Sequence, residues 1–218
     1  GTLNVSGDVV NGAGTGTLNI DGGTVNAGTI GVDNLNIANS AGTNGSHTLG
    51  SGESISTGNE TIGNSGTGTF TQTGGTNTVS NDLNIGNNSG SSGTYNLSAG
   101  TNTVSNSLVL GFSSGSNGTF NLSGTGNLDS SYVFVGREDT GIFTQTGGTH
   151  SVSNDLNIGI NSGSSGTYNL SGGTNSVSNN LNIGINSGSS GTYNLSGGTH
   201  SVSNNLQIGV HSGSSGTY

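Results

Sequence analysis

Along most of this chain one alternation of apolar and polar residues returns every 25 positions. In the clearest unit, Gly166 to Ser190, Tyr168 and Leu170 alternate with Thr167, Asn169 and Ser171, a period of two that predicts a half-buried strand. Gly172-Gly173 predicts a break, and Val177 marks a second short strand. Leu181, Ile183 and Ile185, alternating with Asn180, Asn182 and Gly184, predict a third. A Ser-Gly-Ser-Ser run closes the unit as a loop. No helical periodicity occurs, and proline is absent, which suits a sheet whose backbone N–H groups all bond to neighbouring strands.

A Gly-Thr-aromatic signature fixes the period. Its aromatic falls at Phe70, Tyr95, Phe120, Phe143, Tyr168, Tyr193 and Tyr218, in steps of 25, 25, 23, 25, 25 and 25 residues. The regular coils are read as about 46–67, 68–92, 93–117, 118–140, 141–165, 166–190 and 191–215, with the next starting at 216. In the first of these His47 and Leu49 take the aromatic and leucine positions. Residues 1–45, with Leu3, Val5, Leu18, Ile20, Leu35 and Ile37, are read as irregular N-terminal coils.

Three short strands per 25-residue coil, separated by glycine corners, predict an all-β parallel β-helix, a β-solenoid with an apolar interior of six inward side chains per coil. Parallel crossovers are overwhelmingly right-handed, and that winding is expected here. One coil cannot bury enough to fold alone, so stacking at about 4.8 Å is required. Eight or so coils then make a rod roughly 40 Å long.

Only 26% of the residues are hydrophobic and 45 are glycine, a composition that without the repeat would read as a disordered linker. Charge changes the list of partners. Arg137 is the only basic residue and the net charge is −9, so no nucleic acid is expected, because nothing neutralises phosphate. No run is long and apolar enough to span a bilayer, so no membrane insertion of this segment is expected. The chain has no cysteine, which excludes disulfides and thiolate metal sites.

Two residues before the leucine of the third strand stand Asn81, Asn106, Asn154, Asn179 and Asn204, interrupted by Ser131. Counted on the parity of the inward leucines, they predict a buried asparagine ladder, each amide bonding to the next coil. Coil 118–140 departs from the template. Tyr132 and Phe134 fall on its outward parity, and Arg137, Glu138 and Asp139 replace the bland loop. These five residues are read as a candidate lateral contact between rods, against a local salt bridge with tolerated surface aromatics.

The remaining polar residues predict no metal, cofactor or catalytic site. His150 and His200 occupy equivalent positions two coils apart, about 10 Å on the solenoid spacing, too far to share an ion. Asn77, Asn102 and Asn175 fill the same position elsewhere, so it reads as a polar position that tolerates histidine; His211 falls in a loop. Asp82 and Asp155 are equivalent but three coils apart, and the glycine-aspartate nonapeptide of calcium-binding repeats is missing. Acids are not clustered as glycoside hydrolysis requires. Sequons such as Asn96-Leu97-Ser98 are products of the repeat.

The unit GTYNLSGGT, followed by an LNIG strand and an NSGSSG loop, resembles the repeats of large exported bacterial β-solenoids, including autotransporter passenger domains and filamentous-haemagglutinin-type adhesins. It covers residues 46–218 well and the first 45 loosely. The resemblance implies an extracellular or cell-surface location and a structural or adhesive role in attachment, biofilm or fibre assembly, with no enzymatic site. It shows no translocator barrel, sorting signal or anchor. The chain stops at Tyr218 in mid-signature without a polar cap, so either more coils follow or copies self-associate end to end. Ice binding by outward Thr, Asn and Ser rows is the alternative, and a stalk that binds surface glycans through the coil 118–140 aromatics is a third.

Overall fold

The computed structural model describes residues 1–218, in strands and without a helix. The strands stack in parallel, coil upon coil, into a β-solenoid of about 9 turns. Register follows the repeat directly: Tyr168 lies opposite Tyr193, Asn169 opposite Asn194 and Leu170 opposite Leu195. Each coil has three faces. In the coil that begins at Ser190 the first is the strand Ser190–Leu195, the second Thr199–Val202 and the third Leu206–Ile208.

Period-two alternation sends one row of each strand into a single continuous core. On the first face Phe70, Tyr95, Phe120, Phe143, Tyr168 and Tyr193 are fully buried. Their rings stack with centroids 4.5 to 5.0 Å apart. Leu83 and Ile85, Leu108 and Leu110, Leu156 and Ile158, and Leu181 and Ile183 form the matching aliphatic stack on the third face. Each such side chain contributes about 1.5–3 kcal/mol when buried. Much of what buries it belongs to the coils before and after, so the coils are stable only as a stack.

Three sequence expectations are corrected. The Gly172-Gly173 break is a bend inside one strand, Ser165–Val177, with an irregular register where Thr146 meets Gly172. Ile185 is not part of the third strand, which ends at Ile183 because Gly184 turns the chain at a φ of 67°. The interior of a coil holds five apolar side chains (Tyr168, Leu170, Val177, Leu181 and Ile183) and one polar one, Asn175, in place of six apolar ones.

The first coils wind on other spacings: Thr2 pairs with Thr24, Val9 with Ile30 and Leu18 with Leu35, steps of 22, 21 and 17 residues. From Leu35 opposite Glu60 onward the step on the first and third faces is 25 or 23, while the second face also takes steps of 22, as from Ile55 to Asn77, and 26, as from Asn102 to Leu128. The 23-residue step at coil 118–140 combines a loop two residues shorter and a lost corner residue, where the register slips between Val104 and Ser107, with one extra residue between Leu122 and Asn127.

Corners are the tightest points. Gly159 has a φ of 68°, and a Cβ there would sit 2.1 Å from the Ser190 carbonyl oxygen of the next coil. Backbone touches backbone at that corner, and only glycine fits.

Candidate functional site

The asparagine row is not buried. Asn81, Asn106 and Asn204 are exposed and Asn154 and Asn179 half-buried. They occupy the corner between the second and third faces, where strand parity counted back from the leucine no longer applies. Their backbone amides bond coil to coil, Asn106 to Asn81 at 3.1 Å and Asn154 to Ser131 at 2.9 Å. Several side chains bond along the surface: Asn106 Nδ2 donates to Asp82 at 2.8 Å, and Asn204 Nδ2 to Asn179 Oδ1 at 3.1 Å.

The buried polar ladder runs instead through the position that sequence reading took as merely tolerant of histidine. Ile55, Asn77, Asn102, Leu128, His150, Asn175 and His200 stand in register on the second face. Asn77, Asn102, His150 and Asn175 are fully buried. The tyrosine of the following coil reaches back to this position: Asn77 Nδ2 donates to the Tyr95 hydroxyl at 3.2 Å, and the Tyr193 hydroxyl donates to Asn175 Oδ1 at 3.2 Å. Tyr95 and Tyr168 also donate to Gln72 and Gln145 at 2.6 and 2.7 Å. Those glutamines occupy an inward leucine position, and their Nε2 groups donate to the Thr101 and Thr174 carbonyls.

His150 lies at the centre of one such network. Ser130 Oγ is 3.2 Å from Nε2, while the Tyr168 hydroxyl and Asn175 Nδ2 lie 3.0 and 3.2 Å from Nδ1. Ser130 Oγ donates to the Ser151 carbonyl and Asn175 Nδ2 can only donate. Burial pushes the imidazole down to about 3, with His200 adding to the effect, so the ring is neutral.

Sequence reading missed Glu60. It stands opposite Leu35 and Leu83, the one carboxylate in the leucine row of the third face, and is fully buried. Asn77 Nδ2 donates to its Oε2 at 2.7 Å, whereas its Oε1 and Asn77 Oδ1 have no partner. Burial pushes the carboxyl from 4.5 up to about 7, against the opposing Asn77 hydrogen bond. The signal was available as an acid at a leucine position of the 25-residue period.

In coil 118–140 the structure places Tyr132 outward and 37% exposed, with Phe134 half-buried beside it and ring centroids 6.5 Å apart. The charged residues all have partners within the rod. The Arg137 guanidinium lies 4.5 Å from the centroid of the Phe112 ring in the coil before, a cation–π contact. Glu138 Oε1 accepts from Asn161 at 2.6 Å, and Asp139 Oδ2 from the Gly115 amide at 2.8 Å. Of the five candidate contact residues, the two aromatics are the ones left to face outward without a polar partner.

No group of three or more His, Asp or Glu side chains comes together. Known protein families, curated proteins and solved structures offer no match to this chain.

Proposed function

We propose that the chain is a structural or adhesive extracellular element, a stiff β-solenoid rod for surface attachment, biofilm or fibre assembly that associates with further copies of itself. The observation that carries this reading is the unbroken in-register stack. Each internal coil pairs its backbone with the coils on both sides, and the aromatic column runs from Phe70 to Tyr193 without a gap, which favours stiffness along one axis over a binding cleft. The resemblance of the repeat to exported adhesin-type and autotransporter-type solenoids supports a cell-surface setting.

Self-association draws support from the architecture itself, in which parallel coils pair backbone to backbone along the whole axis and so present pairing groups in that one direction. Sedimentation velocity over a hundredfold range of concentration tests it. Growth of the sedimenting species with concentration is expected; a constant monomer at every concentration would overturn self-association.

Ice binding has less support. The outward threonine row is interrupted by Ile142 opposite Thr167, and the asparagines beside it bond to one another, Asn194 to Asn169 at 2.8 Å.

A further inference from the structure

In a repetitive rod, a coil that departs from its neighbours at several positions on one side marks a place where something other than stacking is selected. Coil 118–140 is that coil. Between its inward Ser130 and Val133 lie two residues, Ser131 and Tyr132, where the neighbouring coils have three, Ser105-Asn106-Ser107 and Ser153-Asn154-Asp155. The missing corner residue leaves a hollow of about 230 Å³ lined by Thr103, Ser105, Asp129, Ser131 and Ser153. Tyr132 follows Ser131 directly, and Phe134 lies beyond it on the same outward parity. At the equivalent outward positions the other regular coils carry Asp82, Ser107, Asp155, Asn180 and Asn205, and Asn84, Val109, Asn157, Asn182 and Gln207.

We propose that this hollow and Tyr132 together form a binding site for the end of a neutral glycan. Four hydroxyls and one carboxylate, of which Ser131 Oγ and Asp129 Oδ2 already accept from Asn154 and Asn127, give donors and acceptors matched to sugar hydroxyls, and Tyr132, the exposed residue that follows Ser131 in the chain, offers an aromatic face suited to the apolar C–H face of a pyranose. The volume lies below the roughly 300–1,000 Å³ of pockets for drug-sized ligands and fits one terminal sugar better than an extended chain. Charge selects among glycans. The only cation, Arg137, is engaged by Phe112, and the net charge of −9 repels sulfated or uronic acid sugars.

A second copy of this chain is the weaker occupant. A specific protein interface buries about 800 Å² per partner, whereas on the faces of the regular coils only Tyr132 and Ile142 stand out from the rows of Thr, Asn and Ser as large exposed side chains. The site is independent of the rod proposal, which stands whether or not sugar binds.

The test is calorimetric titration of the intact chain with cellohexaose, chitohexaose and mannohexaose, and with a heparin hexasaccharide as the anionic comparison. Two variants use residues found at equivalent positions in this chain: Tyr132→Asn, as at Asn180, and Asp129→Ser, as at Ser176. Thermal unfolding verifies that both fold. At least one neutral hexaose is expected to bind, each variant weakening it about tenfold or more, with no heat from heparin. Absence of binding by every neutral hexaose, or binding undiminished in both variants, would overturn the site. So would a Tyr132→Asn effect confined to sedimentation, which would assign the patch to a second copy.

Discussion

The hydroxyl of Tyr193 donates across 3.2 Å to Oδ1 of Asn175, a residue 18 positions earlier and in the coil before. That relationship orders the whole interior. Tyrosine follows a coil whose ladder residue is polar, as Tyr95 follows Asn77 and Tyr168 follows His150; phenylalanine follows an apolar one, as Phe70 follows Ile55 and Phe143 follows Leu128. Phe120 breaks the rule above Asn102, and Asn102 is the ladder asparagine with both amide atoms unpartnered.

Phe120→Tyr should therefore stabilise the protein. It reproduces the Tyr193, Asn175 and Leu170 arrangement on Asn102 and Leu97, and one buried hydrogen bond contributes about 1 kcal/mol. Phe143→Tyr places the same hydroxyl over Leu128, where an unpaired polar group costs about 1–3 kcal/mol. Thermal unfolding of the two variants should move in opposite directions, and movement in the same direction would contradict the pairing rule.

Asn175 and Asn179 make a second contrast. Asn175→Ala strips a partner from both Tyr193 and His150 in the core and is expected to cost about 2–4 kcal/mol. Asn179→Ala, at the half-buried corner, should cost less than about 1 kcal/mol. Denaturant midpoints check the pair; a buried asparagine ladder at the corner would reverse the order.

Glu60 and His150 make stability depend on pH in opposite senses. The folded Glu60 carboxyl lies at about 7, above its ordinary 4.5, so the stability it contributes is fully present below pH 4.5 and is lost as pH rises through 7. The loss amounts to about 3 kcal/mol. His150 lies at about 3, below its ordinary 6.5, so its contribution is present above 6.5 and lost as pH falls through 3. Stability should peak between these limbs. Between pH 4.5 and 6.5 the two slopes offset one another, so Glu60→Gln should turn that flat region into a rise with pH, remove the fall near pH 7 and leave the acid limb intact, as followed by chemical denaturation across pH.

Gly159→Ala combines a positive φ, at about 1–2 kcal/mol for an L side chain, with a contact against the Ser190 carbonyl that only backbone movement relieves. Its midpoint should fall by more than that of Gly163→Ala, which also has a positive φ but open space around the added methyl. Equal losses would mean that the corners are not packed coil against coil.

Much of the fold was legible because one alternation repeats. Tyr168, Leu170, Leu181 and Ile183 declare their own faces, and the 25-residue step leaves one way to stack them. What was misread lies where alternation stops. Asn179 sits in a corner, so parity carried back from Leu181 put a surface residue inside. Gly173 has positive φ yet bends a strand without ending it, because the coils before and after keep pairing across the bend. Asn175 and Glu60 were buried against expectation for polar side chains, since their partners come from the next coil and no single unit contains both halves of the bond. The hollow beside Tyr132 was half visible: the outward aromatics were noted, but the corner residue missing between Ser130 and Val133 acquires meaning only once the neighbouring corners are stacked beside it.

Cryo-electron microscopy of the purified chain tests the rod most directly. The account predicts stiff rods with a repeat of about 4.8 Å along the axis, three-sided in section and lengthening by end-to-end contact as concentration rises. Compact particles with no axial repeat, or flexible chains without fixed shape, would contradict it.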